Sequence, residues 1–180
     1  MKFTATEVAG AFIIKPDTLS DERGSFLRTF CAETFAAQGL ATTYPQCNVS
    51  TNTQRGTLRG LHFQTAPGAE AKLVRATRGR VFDVAVDLRP DSPSYLKWAA
   101  VELDAGRHNA FYIPTGCAHG FLTLEDDSAL FYQMSAPYAP ELARGVRWDD
   151  PAFAIAWPFA PGVISARDAA HPDFTEEVVR

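Results

Sequence analysis

Val81-Phe82-Asp83-Val84-Ala85-Val86-Asp87-Leu88 is the stretch that decides the fold. As a strand it puts Val81, Asp83, Ala85 and Asp87 on one face and Phe82, Val84, Val86 and Leu88 on the other. One mixed and one apolar face predict a half-buried strand in an antiparallel sheet. Gly79 supplies the turn back to an earlier run, Leu73 to Ala76. Phe12-Ile13-Ile14, Trp98 to Leu103, Ala110 to Ile113, Gly120 to Leu124 and Ala129 to Gln133 read as further strands, and Asp21-Glu22-Arg23-Gly24-Ser25-Phe26 as a turn into another. Helical signal is confined to Cys31 to Leu40, with Gly39 near its end, and to Arg167 to Ala170, with Ser165 as its cap. Strands at intervals of roughly ten residues favour a sandwich or barrel. The long crossover helices of parallel βαβ units are missing. The expectation is a mainly β antiparallel barrel or jelly roll with a few short helices, forming one domain over residues 1–180.

Bulk properties narrow the function. The chain has 180 residues, 46% hydrophobic and 21% charged, enough for one sizeable core. A net charge of −4 gives no general electrostatic case for binding nucleic acid or an anionic membrane. No apolar run approaches the ~18 residues of a membrane span. The start, Met1-Lys2-Phe3-Thr4-Ala5-Thr6-Glu7, lacks the basic-then-apolar pattern of a signal peptide, so a cytoplasmic location is expected. Three cysteines, Cys31, Cys47 and Cys117, show no CxxC spacing and read as buried free thiols.

Two of the four histidines stand out. His62 lies in Arg59-Gly60-Leu61-His62-Phe63-Gln64, and His119 in Ile113-Pro114-Thr115-Gly116-Cys117-Ala118-His119-Gly120-Phe121. Histidine moves protons near neutral pH, so two brought to one cavity suggest proton transfer or a metal. The blander readings are a satisfied core histidine for His62 and a backbone-bonded turn histidine for His119. Spacing alone leaves these open. Pro114, Gly116 and His119 resemble the second block of the cupin barrels, many of which bind a metal through a His-x-His in their first block. Here that place holds Leu61-His62-Phe63-Gln64, without a second histidine. Two imidazoles without a nearby carboxylate make a poor first-row metal site, so no metal is expected. An acid/base reading needs an orienting carboxylate and a group to hold negative charge. Lys72 is available, though a solvated edge lysine is its ordinary role. Tyr132 and Tyr138 can donate protons when desolvated, though packing is their default.

Taken together, Arg55 to Gln64, Lys72-Leu73-Val74-Arg75, Val81 to Arg89, Ile113 to Phe121, Trp148-Asp149-Asp150-Pro151, Ile155-Ala156-Trp157-Pro158 and Ser165-Ala166-Arg167-Asp168 resemble the dTDP-4-dehydrorhamnose 3,5-epimerases. Seven blocks in order are more specific than any one motif. The resemblance implies a cofactor-independent epimerase on a cupin-like barrel. It would work as a homodimer on a dTDP-linked 4-keto-6-deoxyhexose. His62 matches the family's general base, Asp168 the carboxylate paired with it, Lys72 the cation at the enolate oxygen, and Tyr132 the acid on the opposite face. Arg59 matches the residue gripping the diphosphate, with Arg23 as a second anion contact. Gln46 and Asn48 match positions reaching nucleotide and sugar, Tyr138 and Phe26 match nearby aromatics, and His119 fits the site wall. The chain departs from the family pattern at Arg28, where an acidic residue is common, and at Gln133-Met134-Ser135, where Lys-Thr-Thr is common. An epimerase acting at C3 or C5 alone, or a ketoisomerase sharing the enolisation step, would look similar. A metal-dependent cupin and a non-catalytic sugar-binding module are the readings from other classes.

Overall fold

The computed structural model describes residues 1–179, the side chain of the last of these excepted. Two antiparallel sheets carry the molecule. The first contains β1 (Lys2–Ala5), β2 (Phe12–Lys15), β5 (Gln46–Asn52), β7 (Lys72–Arg78), β10 (Ala110–Ile113) and β12 (Ser128–Met134), in the order β1-β2-β10-β7-β12-β5. The second contains β6 (Thr57–Gln64), β8 (Arg80–Asp87), β9 (Trp98–Asp104), β11 (Cys117–Thr123) and β13 (Ala143–Gly145), in the order β13-β6-β11-β8-β9. A short strand, β14 (Val163–Ile164), pairs parallel to β6, and β3 (Thr18–Asp21) with β4 (Gly24–Leu27) forms a separate hairpin. The helices are brief: α1 (Ala32–Ala36) and α2 (Ala166–Ala169), with a 3-10 turn at Glu176–Val179. Helical structure in the first predicted segment thus stops at Ala36, and a chain of turns ending at Gly39 completes it.

The sheets pack face to face around a core drawn from both, including Val74 and Leu130 from the first and Val81, Ala85 and Phe121 from the second. Their outer faces are covered as well. Phe35 of α1 packs on Leu73 and Tyr112, while Phe153, Trp157 and Phe174 of the C-terminal segment pack over Leu61, Val84 and Val86. That cover corrects the half-buried reading of Val81 to Leu88. The apolar face meets the C-terminal segment, and the face with Asp83 and Asp87 points between the sheets, so both aspartates are fully buried. Each is paired, as burial of a charge requires: Asp87 with Arg89, Ser92 and Ser94, and Asp83 with His119.

One irregularity positions the site. In a regular strand Arg59 and His62 would point to opposite faces. The β6–β11 register shifts here: His119 faces His62, but Phe121 faces Arg59. The extra residue lies at Gly60–Leu61, so Leu61 and Phe63 stay on the covered side while Arg59 and His62 both turn inward. The bulge depends on glycine. Gly60 has φ +134°, and a Cβ there would lie 2.6 Å from the Gly120 Cα. Gly120 is equally tight, since a Cβ on it would meet the Arg59 carbonyl oxygen at 2.8 Å. We expect Gly60→Ala to cost on the order of 2–4 kcal/mol, from positive-φ strain plus overpacking. That corresponds to a melting point lower by roughly 5–15 °C for a chain of this size. An unchanged melting curve would show that the bulge does not depend on this close approach.

Candidate active site

The open end of the sandwich is a cavity of about 700 Å³, within the range that holds a small-molecule ligand. Side chains from both sheets line it. On the first sheet the register aligns Gln46 with Met134, Asn48 with Tyr132, and Met134 with Lys72, so all five point into one space. On the second sheet His62 of β6 and His119 of β11 are cross-strand neighbours facing that space.

His62 and Asp168 form a pair, with Nε2 2.9 Å from Oδ1. They are 106 residues apart in the chain. The C-terminal segment brings them together: β14 docks along β6, and α2, capped by the Ser165 hydroxyl accepting the Asp168 N–H at 3.0 Å, sets the carboxyl against the bulge. The Gly60 N–H, turned out by the bulge, donates to Asp168 Oδ2 at 3.2 Å. Burial works to raise the Asp168 carboxyl, but the bond to His62 and its charge, the Gly60 N–H and the nearby His171 outweigh burial and hold it below the usual carboxylate range. An ionised Asp168 only accepts hydrogen bonds, so in the neutral form of the His62 ring the proton belongs on Nε2 and the lone pair on Nδ1. The His62 side chain is 42% exposed and Asp168 7%, leaving a ring open to the cavity on a buried support.

Lys72 is no solvated edge residue. It is buried, with Nζ 2.8 Å from Glu70 Oε1 and donating to the His62 carbonyl at 3.0 Å. Glu70 also lines the cavity, and its Oε2 has no hydrogen-bond partner among the described residues. Tyr132 lies edge-on to His119, with ring centroids 5.8 Å apart. Burial, reinforced by the Asp83 charge, pushes the Tyr132 phenol well above its ordinary value, so it keeps its proton. His119 lies on a strand, not in a turn, and its Nε2 meets both Asp83 oxygens at 3.0 Å, not backbone. Burial pushes the Asp83 carboxyl up, against the pull of His119 and Lys72.

Arg59 lines the cavity and donates from Nε to Asn52 Oδ1 at 2.8 Å. Gln46 and Asn48 line it too, though the Gln46 Oε1 already accepts the Tyr138 N–H at 2.9 Å and so ties down the mouth. Arg23 and Phe26 do not join this set. They sit on the exposed β3–β4 hairpin, where Arg23 pairs with Asp21, and neither lines the cavity of its own chain. Arg28 follows that hairpin and is exposed. Of the cysteines only Cys117 is buried, its thiol pushed up to about 12 by burial; Cys31 is partly buried and Cys47 exposed. Sequence reasoning missed Glu70, the pairing of Asp83 with His119, and His171 beside the His62–Asp168 pair. An aspartate at the centre of an apolar strand was the one available signal for Asp83.

Fold and cavity together define a cupin-like β-sandwich equipped for proton transfer. The dTDP-4-dehydrorhamnose 3,5-epimerase family profile matches residues 5–176. The family enzyme of Sinorhizobium fredii (strain NBRC 101917 / NGR234) is 42% identical over 177 residues, covering 98% of this chain and 91% of that one. The crystal structure of the enzyme from Elizabethkingia anophelis NUHP1 superposes with a TM-score of 0.94 at 36% identity, covering 99% and 98% of the two chains. That of dTDP-6-deoxy-D-glucose-3,5-epimerase from Legionella pneumophila Philadelphia 1, in complex with dTDP-4-keto-L-rhamnose, gives 0.91 at 36% identity, covering 99% and 96%. The chain belongs to the dTDP-4-dehydrorhamnose 3,5-epimerase family.

The Asp168 value is depressed by folding, so its stabilising contribution is complete above the ordinary value of 3.8 and is lost as pH falls through the depressed one. Urea unfolding of wild type and Asp168→Asn at pH 7, 5 and 3 should therefore show a stability gap that narrows toward pH 3. A gap that stays constant would mean the pair adds nothing through the carboxylate charge.

Proposed function

We propose that this chain inverts C3 and C5 of a dTDP-linked 4-keto-6-deoxyhexose by abstracting and returning protons, without a cofactor. The keto group at C4 acidifies the hydrogens on both neighbouring carbons. His62 Nδ1 takes one of them, and the Nε2–H bond to Asp168 stabilises the imidazolium that forms. The electron pair moves onto the C4 oxygen, where Lys72 offsets the charge. Tyr132 then gives its proton to the carbon from the other side, which inverts the centre. The arrangement that carries this reading is the opposition of the two sheets: His62 projects from the second, and Tyr132 and Lys72 from the first, into the same cavity. A flat enolate between them has a base on one side and a proton donor on the other. Arg59 suits the diphosphate, because a guanidinium forks onto phosphate oxygens. Gln46, Asn48 and Tyr138 line the way in for sugar and nucleoside, and the His119 ring walls the site beside Tyr132. No helix among the described residues is long and apolar enough to cross a membrane, and a water-soluble nucleotide sugar suits a cytoplasmic enzyme.

The same reading makes the protein a homodimer. Leu19 and Phe26 on the hairpin are about 70% exposed, and Val49 on the edge strand β5 is 65% exposed. Arg23 and Phe26 have no place in their own chain's cavity, so their substrate contacts are proposed to be made in the partner's. Mixing His62→Ala with Arg23→Ala should then yield hybrid dimers that regain activity in one site. No regain in a mixture shown by light scattering to be dimeric would assign Arg23 elsewhere.

Proton NMR of dTDP-4-keto-6-deoxyglucose in D2O tests the chemistry. Wild type should exchange the hydrogens at C3 and C5, and His62→Ala should slow both by about 10²–10⁴-fold. Exchange at a single carbon would make it a monofunctional epimerase. Tyr132→Phe should still take up deuterium through His62, but with retained configuration, because the proton returns from the side it left. Since Tyr132 keeps its proton, wild-type activity should show no alkaline loss due to it below pH about 10. Inversion that persists in Tyr132→Phe would remove it from the acid role.

A further inference from the structure

His171 takes no part in the proposed reaction, yet it is packed against its centre. It follows Asp168 by one helical turn, and its backbone N–H closes that turn on the Asp168 carbonyl at 3.4 Å. Its ring fills the hollow over Gly145, where even a methyl group would lie 2.3 Å from ring atoms. The ring stands edge-on to His62, with centroids 5.6 Å apart. Nε2 is buried and makes no hydrogen bond among the described residues; Asp168 Oδ1 is 3.6 Å away. At that separation the nitrogen has an ion-pair contact but no hydrogen bond, so it has given up its water for an incomplete replacement.

We infer that His62, Asp168 and His171 form a binding site for a zinc-class divalent cation, and that an ion held there switches off the base. The inhibitory part rests on His62 being that base. Two imidazoles and one carboxylate are a donor set suited to Zn²⁺, Co²⁺, Ni²⁺ and Cu²⁺. One donor atom from each residue lies within 4.8 Å of the other two. Zinc bonds of about 2.0–2.2 Å put the ligand atoms of a tetrahedral site roughly 3.3 Å apart. The His62–Asp168 separation of 2.9 Å and the His171–Asp168 separation of 3.6 Å lie on either side of that value. Gathering the three donors from within 4.8 Å to that spacing is the adjustment an ion would require.

The inhibition follows from the tautomer. In the free protein Asp168 holds the proton on Nε2 and leaves the lone pair on Nδ1. A cation that takes Nε2 displaces that proton, which moves to Nδ1 of the same neutral ring. No proton is gained or lost, but the nitrogen that would attack the sugar now carries a hydrogen. The cation also takes the carboxylate charge that steadied the imidazolium.

Co²⁺ provides a readout that needs no turnover. Wild-type protein titrated with Co²⁺ should develop visible ligand-field absorption saturating at one equivalent per chain. His171→Phe keeps the ring over Gly145 but removes both nitrogens, and it should bind at least about tenfold more weakly; His62→Gln should do the same. His171→Ala serves if the Phe variant does not fold. In parallel, Zn²⁺ should slow wild-type deuterium exchange at least about tenfold, with full recovery on adding EDTA, while His171→Phe stays active and insensitive. A spectrum unchanged by His171→Phe, or equal Zn²⁺ sensitivity in both proteins, overturns the proposal. Wild type with no exchange even in EDTA would sink the epimerase reading instead, and the Co²⁺ spectrum would still decide the metal site.

Discussion

The approach of Gly60 to Gly120 is the contact on which the rest of the site depends. Strands alternate their side chains, and a catalytic strand must place two functional groups on the same face without giving up the apolar residues that hold its other face to the core. The bulge does both. It turns Arg59 and His62 inward while Leu61 and Phe63 remain under the C-terminal segment. It also frees one backbone N–H from the ladder, and that group holds Asp168. A side chain at either glycine would push β6 and β11 apart, separate the proposed base from its carboxylate, and open the cavity floor together. Local backbone geometry, packing and acid/base chemistry are therefore coupled through one close backbone approach.

Around that approach the electrostatics are arranged in pairs. Asp168 supports His62, Asp83 supports His119, and Glu70 meets Lys72. Each pair keeps a charge near or below the cavity floor without leaving it unaccompanied, which burial would otherwise penalise by several kcal/mol. The two aspartates are pushed in opposite directions: Asp168 is held low by its donors, and Asp83 is raised by its burial. The negative field of Asp83 reaches Tyr132 and helps it keep its proton. Environments that drive neighbouring groups apart are how one cavity holds a base and an acid at the same pH.

Much of this was legible in the chain. Alternation in Val81 to Leu88 predicts the antiparallel architecture, and the turn residues place most strands within a few positions. What alternation cannot reveal is a strand whose inward face is wet. Gln46, Asn48 and Ser50 of β5 point to the cavity, so Gln46-Cys47-Asn48-Val49-Ser50-Thr51-Asn52 carries no apolar period and escapes a reading built on one. The half-buried reading of β8 failed for the complementary reason: nothing in an aspartate's local sequence says whether it meets water or a buried partner. The roles proposed for His62, Lys72, Tyr132 and Asp168 came through family resemblance, because their meeting depends on contacts as far as 106 residues apart. His171 had no motif to announce it.

The polar strand and the missed histidine share one physical cause. The interior of the sandwich is divided: one end is filled by Val74, Val81, Phe121 and Leu130, and the other is left open and lined with polar groups. The packed end provides the burial that makes the fold stable. The open end gives up that packing in exchange for a space in which substrate can lie between two sheets. Groups at the boundary, such as Asp168 and His171, are held against Gly60 and Gly145 behind the cavity wall and meet the open end through His62. They are rigid enough to hold a proton or an ion in a defined place, and close enough to the cavity for what they hold to matter. Sites are therefore to be sought where a fold stops packing, and residues that break its sequence pattern are the ones that mark the boundary.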